Sequence, residues 1–392
     1  MHTTPALLKN LFLVTLALCV LIPTPAHAWR GFVWDEWLTI AKATKPDVTS
    51  PQAGHHELLP LLKPGFDSEK AIATTAEWEA KRAAITTVLQ AFLGSPEAVE
   101  RPQPKATEAG REDMGGYERI HLRIAGEPND DIPAYLLRPK KLATPKSPVM
   151  IVLHQTQAPG KQEACGMVGD TNMAFAKELV ERGIICIVPD AIGFGERIPE
   201  GGEPYDNAIE LFRRHPKWSF FGKMNWDVAR VIDYLETLPE VDTARIGVIG
   251  HSHGAYGSIM AAVFEPRIKL VVSSCGFTTL RTDPRPDRWS HLTALFPQLG
   301  FYVDDIDQAP FDWHEIIACI APRPYFNWST LNDDIFPETD NLADVYEQVR
   351  GVYALYGKGE LFTGKLAPGK HRFPPEAREE AYTWIEKRFQ GM

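Results

Sequence analysis

From Tyr117 onward, short apolar runs alternate with stretches of helical periodicity, and that alternation restricts the chain to a sheet covered by helices on both faces. Val149 to Leu153, Ile184 to Val188, Ile246 to Ile249, Leu270 to Ser273 and Pro324 to Trp328 are short and mainly apolar. Parallel strands buried on both faces must read this way. Met173 to Arg182, Asn225 to Thr237 and Tyr256 to Phe264 carry the helical pattern between them. Ahead of them, Tyr117 to Ile124 and Ile132 to Leu137 alternate apolar and polar residues around Glu127-Pro128-Asn129-Asp130, which predicts an antiparallel hairpin leading into the sheet. The expected fold is therefore α/β, with a mostly parallel central sheet.

Three further segments surround this pattern. Residues 1–28 read as a cleavable export signal: Lys9 precedes an apolar run from Leu11 to Ile22, and Ala26-His27-Ala28 fits the small-x-small rule, placing cleavage before Trp29. That run is too short to span a bilayer, which needs roughly 20 residues. Export and a periplasmic or secreted location are expected, with no membrane span after cleavage. Residues 29–110 form a helical extension, with helices predicted at Trp34 to Thr44 and Glu77 to Leu93, the latter stopped by Gly94 and Pro96. Residues 111–392 are then the catalytic domain. Within them, 278–322 is too long for an ordinary connection and carries Trp289 and Trp313, which predicts a cap over a pocket.

Composition removes other classes. With 44% hydrophobic residues in 392 the chain can bury a large core, and a net charge of −10 with no basic block argues against nucleic acid as a partner. Beyond the signal, Cys165, Cys186, Cys275 and Cys319 stand singly, with no C-x-x-C spacing to suggest structural zinc. Cys186 lies inside an apolar run, where a small buried thiol is expected.

The chemistry centres on Gly250-His251-Ser252-His253-Gly254, which follows the strand Arg245 to Ile249 without a gap and precedes the helical Ala255 to Ala262. Strand, tight turn and helix are the setting of a nucleophile elbow. The glycines let Ser252 occupy a strained turn where a Cβ on either flank would clash. A serine hydroxyl needs a base to take its proton, and that base needs an orienting carboxylate. Downstream, Tyr325 to Trp328 runs into a loop holding Asp333 and Asp334; Asp333 is preferred as the acid from the usual order of this loop. His371, in Gly369-Lys370-His371-Arg372-Phe373-Pro374-Pro375, is the single histidine after His314 and becomes the general base.

The oxyanion formed by attack on an ester needs backbone donors. The residue after the nucleophile, His253, supplies one N–H. The second comes from the loop His154-Gln155-Thr156-Gln157, through either Gln155 or Thr156. His251 and His253 flank Ser252, but no third ligand is adjacent and their side chains should diverge on an elbow, so no metal is expected. No cofactor is required. Trp289, Phe296, Trp313 and Trp328 are read mainly as packing, although aromatic rings also suit sugar faces.

These motifs, in this order, resemble the α/β-hydrolase superfamily, and in particular its secreted, dienelactone-hydrolase-like and acetylxylan-esterase-like bacterial branch. The resemblance rests on Leu153 to Thr156, Pro189 to Arg197, Arg245 to Gly254, Ser273 to Phe277, Asn332 to Pro337 and Gly369 to Pro375. Dienelactone hydrolases proper carry a cysteine nucleophile; Ser252 departs from them and favours ordinary ester hydrolysis. The resemblance implies a serine carboxylic ester hydrolase acting on a small-molecule or carbohydrate ester, with deacetylation of sugars as the analogy. A prolyl-oligopeptidase-like peptidase shares the triad order but requires a large propeller domain, for which residues 29–110 are too short. A non-catalytic binding protein on the same scaffold would have no need of Ser252, Asp333 and His371 together.

Overall fold

The computed structural model describes residues 32–51, 56–66, 68–96 and 99–392. The expected signal segment, 1–28, lies outside the described residues. Nine strands form one sheet: β1 (Ala106–Asp113), β2 (Tyr117–Glu127), β3 (Asp130–Pro139), β4 (Ser147–Leu153), β5 (Ile185–Pro189), β6 (Val241–His251), β7 (Leu270–Ser274), β8 (Tyr325–Thr330) and β9 (Phe362–Ala367). Their spatial order is β1-β2-β3-β5-β4-β6-β7-β8-β9. The first three strands pair antiparallel, and β3 also meets β5 antiparallel; from β5 to β9 every pairing is parallel. This is the α/β-hydrolase fold.

Around the sheet stand α1 (Trp34–Ala41), α2 (Thr75–Leu93), α3 (Lys161–Ala164), α4 (Phe175–Glu181) and α5 (Ala208–Arg214), then α6 (Phe220–Leu235), α7 (His253–Phe264), α8 (Trp313–Ala318), α9 (Leu342–Leu355) and α10 (Pro375–Gln390). Alternate residues of β4 serve the two faces. Val149 and Ile151 join the core shared with α6, α7 and α2, whereas Met150 and Val152 join the one shared with α4 and α10. That alternation is why the central strands read as continuous apolar runs.

Two strands leave little trace in the sequence pattern. β1, Ala-Thr-Glu-Ala-Gly-Arg-Glu-Asp, is exposed along seven of its eight residues and holds its place on β2 by backbone bonds, so it leaves no apolar alternation to read. The sheet thus begins at Ala106, ahead of the hairpin expected at Tyr117. β9 is an edge strand with one fully buried side chain, Phe362, and is equally faint in sequence. Among the described residues no helix is long and apolar enough to cross a membrane.

Strand order places the site. The connection leaving β4 travels to β5 on one side, and the one leaving β5 crosses to β6 on the other, so a crevice opens beyond the carboxyl ends of β4 and β6. The loop after β4 is anchored below this crevice by charge. Lys161 is fully buried, with its Nζ 2.5 Å from Asp190 and 2.5 Å from Glu196, while its backbone N–H donates to Asp190 at 2.8 Å. Removing one partner of a buried pair leaves a desolvated charge behind. Asp190→Ala should therefore destabilise the fold by about 3 kcal/mol, read as a lowered urea midpoint at unchanged slope.

Candidate active site

β6 ends at His251 and α7 begins at His253, leaving Ser252 alone at the turn with φ 53° and ψ −116°. An L-residue accepts that left-handed φ only where its surroundings enforce it. Here they do. A Cβ on Gly250 would lie 2.2 Å from the Gly254 carbonyl, and one on Gly254 would lie 1.9 Å from the Leu153 carbonyl. Both glycines of the motif are thus required by contact, the second because the start of α7 abuts the end of β4. The Ser252 N–H donates to the Ser274 carbonyl at 2.9 Å, fixing the elbow to the end of β7.

His371 and Asp333 meet as the sequence predicted. The His371 Nδ1–H donates to the Asp333 carboxylate, at 2.8 Å and 2.9 Å from its two oxygens. One of those oxygens also accepts the N–H groups of Ile335 and Phe336, at 2.9 Å and 2.8 Å, so the turn of its own loop holds the carboxylate in place. Asp334 serves the main chain instead, accepting the His371 backbone N–H at 3.2 Å. Adjacent acids thus divide between the ring and the main chain of one histidine.

Ser252 is not hydrogen-bonded to His371 in this structure. The His371 Nε2 is buried and has no hydrogen-bond partner among the described residues. The ring before Ser252, that of His251, lies 4.8 Å from the His371 ring centre to centre, which puts the turn at Ser252 and the histidine loop side by side. Catalytic hydrogen bonds commonly tighten only once substrate is bound.

The loop after β4 is ordered by a residue to which the motifs assign no role. His154 accepts the Ala191 N–H on Nε2 at 3.1 Å, so its Nδ1 carries the proton and donates to the Gln155 carbonyl at 2.7 Å. Gln157 N–H donates to the same carbonyl at 2.8 Å. In a trans peptide the N–H points opposite the C=O, so both bonds turn the Thr156 N–H away from His154. The side-chain amide of Gln155 is engaged elsewhere, on Glu163 at 2.9 Å. The one signal for His154 in the sequence is its position, directly after a buried strand.

His251 and His253 diverge. The His253 ring stacks on His154, 5.8 Å away and 8° from parallel, whereas the His251 Nδ1 meets the Ser274 hydroxyl at 3.1 Å. Burial is the main influence on all three neighbouring rings. It lowers the His154 pKa, pushes His253 down to about 3 with help from His154, and holds His251 well below the ordinary histidine range with help from His371. These rings stay neutral at ordinary assay pH.

Trp289, Phe296 and Trp313 pack into one aromatic cluster with Phe221 and Tyr256, all of them buried, and Trp328 is buried at the end of β8. Cys165, Cys186, Cys275 and Cys319 are free and buried. A large cavity, about 630 Å³, opens between the segment around Val48 to Phe66 and α2, away from Ser252.

Comparison with known proteins bears on the fold and on the kind of enzyme this chain is similar to. The family described as "Glucuronyl esterase, fungi" matches residues 136–282, less than half of the chain. A 4-O-methyl-glucuronoyl methylesterase 1 of Wolfiporia cocos is 25% identical over 285 residues, covering 67% of this chain and 64% of its own, so the match spans just under two thirds of that relative. Among solved structures, a glucuronoyl esterase from Solibacter usitatus aligns with TM-score 0.66 at 17% identity, covering 86% of this chain and 98% of its own. The glucuronoyl esterase catalytic domain of Hypocrea jecorina aligns with TM-score 0.60 at 19% identity, covering 88% and 92%. At such identities the structural likeness establishes the fold. The chain is similar to carboxylic ester hydrolases of the glucuronoyl esterase group; its motifs alone had suggested a dienelactone-hydrolase-like or acetylxylan-esterase-like branch.

The division of labour between the two acids is open to test. Asp333→Asn should lower kcat by on the order of 10³- to 10⁴-fold, because the imidazole loses its orienting charge. Asp334→Asn, which weakens one backbone hydrogen bond, should cost no more than about tenfold. Equal losses in steady-state assays would contradict the assignment.

Proposed function

We propose that the protein is a serine carboxylic ester hydrolase acting on a carbohydrate ester through an acyl-enzyme on Ser252. The observation that carries this reading is the His371–Asp333 pair, which occupies Nδ1 and leaves the buried Nε2 unpartnered, with the His371 ring 4.8 Å from that of His251, the residue before a serine held at left-handed φ. In the first step Ser252 Oγ attacks the ester carbonyl while His371 Nε2 takes its proton, then returns it to the departing alcohol. Water, activated by the same nitrogen, attacks the acyl-enzyme and releases the acid. The oxyanion of each tetrahedral intermediate is held by the N–H groups of His253 and Thr156; Thr156 is chosen over Gln155 because the Gln155 carbonyl, bonded to the His154 ring, turns the Thr156 N–H the opposite way, and the Gln155 side-chain amide is engaged on Glu163.

On this reading 278–322 is a cap, and the catalytic unit starts with β1 at Ala106, a few residues before the expected boundary at 111, because the exposed β1 pairs with β2 through backbone bonds; the helical extension ends ahead of it. Residues 1–28 direct export. The names of the relatives support the sugar as the acyl half of the ester, a uronic acid; the analogy from sequence motifs supports it as the alcohol half, in an acetylated sugar. Against a propeller-bearing peptidase, the described residues ahead of Ala106 contain the helices α1 and α2 and no strand.

A fluorophosphonate probe should label the wild type and fail to label Ser252→Ala. A panel of methyl glucuronate, acetylated xylan and short peptides should show hydrolysis of one or both esters; cleavage of peptides alone would overturn the proposal. Because the base must be neutral to accept the proton, kcat/KM for p-nitrophenyl acetate should be lower in acid than near neutral pH. A flat profile between pH 5 and 8 would exclude a histidine base.

A further inference from the structure

Two residues at adjacent strand ends, neither of them glycine, adopt left-handed backbone angles: Ser252 after β6, with φ 53°, and Cys275 after β7, with φ 49°. The first makes the elbow. The second has no part in the mechanism above, yet glycine would take the same conformation without strain. A side chain retained at such a position points to a use for it.

Cys275 is 1% exposed, and its neighbours connect both halves of the site. Directly before it, Ser274 accepts the Ser252 N–H on its carbonyl and meets His251 through its hydroxyl. Cys275 itself donates its backbone N–H to the Trp328 carbonyl at 2.7 Å. The left-handed turn then swings its side chain toward the histidine loop, where the S–H donates to the Arg372 carbonyl at 3.5 Å. On the other side of the same histidine, the Thr330 hydroxyl donates to the Lys370 carbonyl at 3.1 Å, and its oxygen is 3.9 Å from Cys275 Sγ. The carbonyls flanking His371 are therefore both gripped by side chains from the ends of β7 and β8.

The thiol also stands beside the reacting pair: Cys275 Sγ, an Asp333 carboxylate oxygen and a His371 ring nitrogen all lie within 4.8 Å of one another. The following residue cannot relax to compensate. A Cβ on Gly276 would come 2.8 Å from Ala255 Cβ, so the chain here is pressed against α7. Burial pushes the thiol pKa up to about 12, so the group is a neutral donor and not a nucleophile.

We propose that Cys275 is a positioning residue for His371: Ser274 and Cys275 form a two-residue strut that fixes the separation between the nucleophile elbow and the histidine loop. Asp333 orients the imidazole, and the strut sets how far its Nε2 stands from Ser252 Oγ. This rests on the assignment of Ser252 and His371 as nucleophile and base.

The test compares Cys275→Gly, Cys275→Ala and Cys275→Ser in p-nitrophenyl acetate hydrolysis and thermal unfolding. Cys275→Gly relieves the backbone strain and removes the strut's side chain. Its Tm should hold or rise while kcat falls by about 10- to 100-fold at near-constant KM, the cost of misplacing a reacting group by a fraction of an ångström to an ångström. Cys275→Ala should lose kcat to a similar degree. Cys275→Ser, which keeps a hydroxyl donor, should recover a large part of it. Wild-type kcat in both the glycine and alanine variants would overturn the proposal, as would losses tracking Tm with no rescue by serine. Ser252→Ala distinguishes the two levels: if it retains esterase turnover, the triad assignment has failed, whatever the Cys275 series shows.

Discussion

The close approach of α7 to the end of β4 is the contact on which the site depends. It brings Gly254 against the Leu153 carbonyl with no room for a methyl group, and so presses the elbow against the loop that begins at His154. That approach is set by backbone contact between the first turn of α7 and the end of β4. A longer side chain at Gly250 or Gly254 would separate them. The strained φ of Ser252 is the local expression of the same crowding.

Support for the crevice comes from two directions of different chemical character. Below the loop after β4 lies a charged anchor, Lys161 with Asp190 and Glu196, supplemented by the His154 bridge between Ala191 and Gln155. Under the histidine loop the ties are short and mostly neutral: Asn332 N–H on the Gly369 carbonyl, Thr330 on Lys370 and Cys275 on Arg372, with Asp334 accepting the His371 N–H.

Much of the site was legible in the linear chain because its constraints are local. A strand, a G-x-S-x-G turn and a helix must follow one another for an elbow to exist, and Ser252 could be placed from that order alone. Asp333 and His371 followed from the need for an acid and a base at later strand ends. What escaped was held by contacts between remote residues. His154 bridges to Ala191, Cys275 reaches Arg372, and β1 survives on backbone bonds with almost no buried side chain. None of these leaves a periodic trace, since each depends on where a second segment arrives.

By itself the sequence determined the class of fold and set Ser252 at a tight turn between a strand and a helix, because apolar periodicity and tight-turn sterics act over a few residues. Tertiary structure alone decided which of two neighbouring aspartates faces the imidazole, which carbonyl of the His154 loop its own ring engages, and which carbonyl of the histidine loop a buried thiol meets. Those choices are settled by hydrogen-bond geometry between segments up to about a hundred residues apart, and such distances exist only once the chain has closed.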